Sequence, residues 1–184
     1  MRKLWIGLGF AAGLVIVAAG TLLAMGMRAG AGRNDATIEI TRPREVVYAW
    51  ISEPGKLTQW VDWLVEVRQD PPGADGIVRR EVWVMDDPNT KSRMELVSTM
   101  LQVEVPRFVS ATVFAPGVFD GEVSYTLTDL GNGRTRLDYR SHFTYGPWLY
   151  RLIEPLVTPE AQQKLEADLA TLKRLVEATR TPGT

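Results

Sequence analysis

Few residues in this chain are suited to covalent or acid–base chemistry. It contains no cysteine and one histidine, His142. Thiolate nucleophiles, disulfides and the usual nitrogen–sulfur metal sites are therefore out of reach. His142 follows Ser141, but the pattern around them is that of a strand, which turns the two side chains to opposite faces. They cannot form a nucleophile–base pair, and spacing assembles no serine–histidine–acid set elsewhere. Asp86-Asp87 matches no calcium-loop spacing and, with Pro88-Asn89, reads as a hairpin turn. Gly131-Asn132-Gly133 leads into a strand rather than a helix, so it is a turn and not a phosphate cradle. These patterns assign no catalytic residue, metal ligand or cofactor.

What remains is a set of tyrosines and an arginine placed among apolar residues. Arg134 to Tyr145 alternates: Leu137, Tyr139, Ser141, Phe143 and Tyr145 share one face, and Arg136, Asp138, Arg140, His142 and Thr144 the other. Such alternation describes a sheet with one buried and one wet face. By the same parity Val123, Tyr125 and Leu127 face inward from the preceding strand. In Ile77 to Met85, Arg80 shares the parity of Val78, Val82 and Val84. An inward Arg80 needs an acidic partner or an anionic ligand; if Trp83 and Met85 face inward instead, Arg80 is solvated. The candidate ligand-contacting residues are Arg80, Tyr125, Tyr139 and Phe143, with Leu165, Leu169 and Leu172 from a closing helix. A pocket and a filled core carry the same sequence signature.

The elements that must position these residues follow from periodicity and punctuation. Ala36 to Thr41 reads as a first strand, and Pro43 opens a short helix with Val46, Val47, Trp50 and Ile51 on its apolar face. Pro54-Gly55 breaks it, Lys56 to Trp60 is a second helical turn, and Trp60 and Trp63 read as core anchors. Strands are expected at residues 64–68, 77–85, 93–101, 107–115, 119–130 and 134–145, separated by Pro-, Gly-, Asn- and Asp-rich turns. Trp148 to Val157 continues at helical spacing, with Pro155 as an interruption. Thr158 as cap and Pro159 at the first helical position then predict a separate helix from Glu160 to Ala178. Its stripe is Leu165, Leu169, Leu172 and Val176, with Lys164, Glu166, Asp168 and Lys173 turned to water.

Strand, two short helices, about six antiparallel strands and a long C-terminal helix form the helix-grip arrangement, an α+β fold whose curved antiparallel sheet wraps around the last helix. Ile38 through Trp50, Pro54 through Trp60, and Gly131 through Tyr139 resemble the START-like (SRPBCC) superfamily, especially its bacterial polyketide cyclase/dehydrase-like members. The resemblance covers Ala36 to Ala178. It implies a cavity between sheet and helix, which relatives use for lipids, sterols, aromatic polyketides or plant hormones. Its motifs are structural, so they speak to fold more than to activity.

Every acidic residue lies at or beyond Asp35. After residue 33 the chain carries 17 basic and 22 acidic residues, a net charge of −5 that gives nucleic acid no electrostatic footing. Before it, Leu4 to Met25 is 22 residues without a charge. At ~1.5 Å per residue that run reaches roughly 33 Å, enough to span a bilayer core. The expected organisation is a transmembrane anchor at 1–28, a tether at 29–35 and a helix-grip domain at 36–180. The basic residues favour, narrowly, a single-pass membrane protein with its folded domain outside the cytoplasm. A cleaved signal peptide ending near Ala29-Gly30-Ala31 is the rival.

Three functions are compatible with this reading. The first is a non-catalytic, membrane-anchored binder of a hydrophobic small molecule or lipid. The second is a cyclase/dehydratase-type enzyme using Tyr125, Tyr139 and Arg80. The third is an interaction protein whose cavity is filled.

Overall fold

The computed structural model describes residues 16–21, 23–24, 31–88 and 91–179. Its sheet has seven antiparallel strands: β1 (Ala31–Ile40), β2 (Leu64–Gln69), β3 (Arg80–Asp87), β4 (Ser92–Glu104), β5 (Phe108–Ala115), β6 (Phe119–Gly131) and β7 (Arg134–Tyr145). The order across the sheet is β1-β7-β6-β5-β4-β3-β2, so every neighbour but β1 and β7 is sequential. Two short helices, α1 (Arg44–Ser52) and α2 (Pro54–Trp60), follow β1, and α3 (Trp148–Ala178) closes the chain. This is the expected α+β arrangement of a curved sheet with a long C-terminal helix.

The core lies at one end of the sheet, beneath the helices. Ile40 of β1, Leu127 and Leu137 of the β6–β7 hairpin, Val47 of α1 and Leu57 of α2 meet Leu169, Leu172 and Val176 of α3 there. Trp60 is buried as expected, and its indole N–H donates to the Trp50 carbonyl at 2.9 Å, tying α2 to α1. Trp63 is not a core anchor. It takes a left-handed backbone (φ 71°) between α2 and β2, half-buried, with the Lys164 ammonium 5.1 Å from its ring centroid.

Two sequence boundaries are corrected. The first strand begins at Ala31, so most of the expected 29–35 tether is sheet: Ala31 to Asp35 pair with Thr144 to Arg140. Small polar residues suffice there because β7 and α3 satisfy them. The Ser141 hydroxyl donates to the Asn34 carbonyl (3.3 Å), and the Asn34 amide donates to the Thr158 carbonyl (3.3 Å). Secondly, α3 is one helix of 31 residues with Pro155 and Pro159 inside it. Thr158 caps nothing; its hydroxyl donates to the Glu154 carboxylate one turn back (2.8 Å).

The helix runs along β1. Gln162 donates to the Asp35 carbonyl (2.9 Å) and Lys173 to that of Glu39. At the far end the Arg42 guanidinium donates to the carbonyls of Glu177 and Thr179, satisfying groups that a helix C-terminus leaves open. The Thr41 N–H donates to the Glu177 carboxylate at 2.8 Å, which holds that carboxyl below its ordinary range.

The expected membrane placement is also corrected. Among the described residues no helix is long and apolar enough to cross a membrane. The rest of the Leu4–Met25 run lies outside the described residues.

Candidate functional site

The concave face of the sheet is built by alternation, and the ladder registers show which side chains become neighbours. One row runs Gln69, Glu81, Ser98, Val113, Gly121 and Phe143 from β2 to β7. A second runs Val103, Val109, Tyr125 and Tyr139 from β4 to β7. All of these but Gly121 line one cavity of about 500 Å³, roofed in part by Tyr48 and Ile51 of α1 and by Ile77 and Val78 of the β2–β3 loop. The volume lies in the range of small-molecule sites, and the lining is apolar with a few polar atoms.

Three of the sequence candidates meet here. Tyr125 and Tyr139 face each other across the β6–β7 ladder, ring centroids 5.1 Å apart at 71°. Burial pushes the Tyr125 phenol well above its ordinary range, reinforced by the neighbouring Tyr139 and by the Asp168 and Glu81 carboxylates. Burial raises Tyr139 as well, against a hydrogen bond with Ser141. Phe143 closes one end of the cavity with its edge against Phe119, centroids 5.0 Å apart. Gly121 makes room for that ring: a Cβ on it would stand 2.4 Å from both the His142 carbonyl oxygen and a Phe143 ring carbon.

Four candidates lie elsewhere. Arg80 points to solvent and pairs with Asp70 at 3.5 Å. The inward parity of β3 is that of Glu81 and Trp83. Leu169 and Leu172 are wholly buried in the core beneath α1 and α2, and Leu165 packs against that core; none lines the cavity. The stripe faces the protein as expected, but it covers the core end of the sheet and not the hollow.

Glu81 is the residue that the sequence pattern did not single out. It is 4% exposed. Its Oε1 accepts from the Gln69 amide at 2.6 Å and its Oε2 from the Trp83 indole N–H at 2.8 Å. Among the described residues no lysine, arginine or histidine lines the cavity. The available signal was the parity of Trp83, which carries Glu81 inward with it.

A wider cleft of about 680 Å³ lies outside, between α2–β2 and α3, and holds a second surprise. Asp168, expected in water, is 8% exposed; it accepts from the Asp62 N–H (3.1 Å) and from Lys164 (2.6 Å). Burial raises its carboxyl, and those two donors offset part of the rise. The cleft is wide open to solvent and its acid is already paired, so the more sheltered apolar cavity is the candidate site. His142 is exposed on the opposite face of the sheet from Ser141, and the two form no pair.

Comparison with known proteins agrees with this geometry. A family model described as "Polyketide cyclase / dehydrase and lipid transport" matches residues 32–177. No curated protein matches the chain. Among solved structures, a START superfamily protein from Mycobacterium smegmatis superposes with a TM-score of 0.66 at 15% identity, covering 79% of this chain and 97% of that one. A conserved protein from Geobacillus kaustophilus gives a TM-score of 0.66 at 14% identity, covering 78% and 94%. A protein from Thermus thermophilus gives 0.59 at 22% identity, covering 81% and 99%. At these identities the structures speak for the fold alone.

Proposed function

The chain belongs to the polyketide cyclase / dehydrase and lipid transport family, in the START-like superfamily, and we propose that it binds a hydrophobic small molecule between sheet and α1. The observation that carries this reading is the cavity itself: about 500 Å³ of space walled by apolar side chains from β3 to β7. The filled-cavity alternative has no such space to offer. Transfer of apolar ligand surface into it is favourable by roughly 25 cal/mol per Å², before the cost of immobilising the ligand. The facing tyrosines present their rings to a ligand and supply hydroxyls for orientation.

The test is binding of the neutral dye Nile red, read as a blue-shifted rise in its emission. Ala111, 2% exposed in the centre of β5, lines the cavity, and Ala111→Phe fills it. Dye binding by the native chain and its loss in a folded Ala111→Phe variant is the expected result. A native chain that leaves the dye dark, or a filled variant that binds it equally well, overturns the reading.

A further inference from the structure

Glu81 is a buried carboxylate at an apolar cavity, and among the described residues no cation lines that cavity. The nearby arginines are engaged outside: Arg68 with Glu95, Arg79 with Asp75, and Arg80 with Asp70. The other acid of the cavity, Glu53 at its rim, is held by Lys56 at 2.8 Å. Glu81 is steadied by two neutral N–H donors, from Gln69 and Trp83. A carboxylate offers about four acceptor positions, so these two donors leave capacity unused. Directly across the β3–β4 ladder stands Ser98, 5% exposed and also on the cavity wall. The polar end of the cavity is thus a carboxylate with a hydroxyl beside it, and no positive group among the described lining residues compensates it.

Resting on the binding function proposed above, we propose that this end selects the ligand's head group. The cavity prefers apolar molecules ending in an ammonium group, takes hydroxyl-ended ones less tightly, and rejects carboxylate-ended ones. The ammonium forms a charge-assisted hydrogen bond to Glu81 in a water-poor site, the stronger kind of such bond. A hydroxyl donates a neutral one. A carboxylate brings a second negative charge to a place that already holds one, where repulsion is poorly screened.

Decylamine, decan-1-ol and decanoate, competing with Nile red at neutral pH, separate these cases because they differ only in the head. The expected order is amine, alcohol, carboxylate, with about tenfold or more between the first and last, the difference made by one good charge-assisted bond. Glu81→Gln keeps the shape and brings amine and carboxylate to within about twofold of each other. Glu122→Gln, the same charge change at an exposed residue, leaves the order intact. Decanoate competing as well as decylamine in the native chain overturns the proposal, with no variant needed. So does a preference that survives Glu81→Gln. If Nile red does not bind the native chain, the cavity-binding function fails and this proposal with it; if it binds but the heads are not distinguished, only the present proposal fails.

Discussion

Tyr125 and Tyr139 occupy directly opposed positions on β6 and β7 and meet edge to face, their centroids 5.1 Å apart. Each ring is therefore part of the wall that holds the other. Such pairs contribute about 0.5–1.5 kcal/mol beyond the area they bury. A double-mutant cycle with Tyr125→Leu and Tyr139→Leu, read by urea unfolding, is expected to return a coupling of that size. Additive losses would show that the rings act independently.

Alkaline pH should weaken the fold through the same pair. Burial raises both phenols above their ordinary value, so the folded chain keeps protons that the unfolded chain gives up. Their contribution is fully present below the unfolded tyrosine value of about 10, and it is lost as pH rises from there through the folded values. Unfolding followed at increasing pH should show this decline, and Tyr125→Phe should make it shallower. An equally steep decline in that variant would remove Tyr125 as its cause.

The Leu169 side chain belongs to the core and not to the cavity. Leu169→Ala should cost about 2–5 kcal/mol of stability, the range for a fully buried leucine. Among molecules that remain folded, Nile red affinity should be unchanged. A selective loss of dye binding with stability intact would instead put this leucine against the ligand.

Gly121→Ala is expected to act locally. Its Cβ would overlap the His142 carbonyl and the Phe143 ring, so Phe143 must leave its contact with Phe119. The cost of such overpacking is about 1–3 kcal/mol, with altered dye affinity because Phe143 lines the cavity. Unchanged melting and binding would mean that β6 and β7 separate there without strain.

Asp168 provides a second pH test, in the cleft between α2–β2 and α3. Its carboxyl is raised by burial, although Lys164 and the Asp62 N–H offset part of the rise. A value raised in the folded chain means stability that is present below the unfolded aspartate value and lost as pH rises through the folded one. From about pH 4 upward, the native chain should therefore lose stability relative to Asp168→Asn. Denaturation midpoints across that range decide it; a difference that does not move with pH removes Asp168 as a titrating group.

How far these features were readable in the sequence depended on what each pattern encodes. Alternation in β7 put Tyr139 and Phe143 on the inner face, and the same parity in β6 placed Tyr125 with them. Alternation could not settle β3, because either parity carries a charge inward, Arg80 or Glu81. The large apolar Trp83 decides it, and the Gln69 that pairs with Glu81 comes from a neighbouring strand that no local pattern names. The helical stripe likewise encodes a face without its partner. Leu165, Leu169 and Leu172 point inward, but whether they meet hollow or core depends on where α1 and α2 lie. Pro159 misled for a similar reason: a proline suits the first turn of a helix, but the contacts of a long helix with β1 sustain it through one.

The placement of α3 along β1 has one more effect, on the company the protein keeps with itself. An outer strand offers unsatisfied carbonyls that can template another chain. On β1 the carbonyls of Asp35 and Glu39 are already taken by Gln162 and Lys173. The other outer strand, β2, carries Glu66 and Arg68, charges of the kind that discourage strand addition. The helix that completes the core is thus also a guard against polymerisation, and its loss would expose a ready growth point for aggregates.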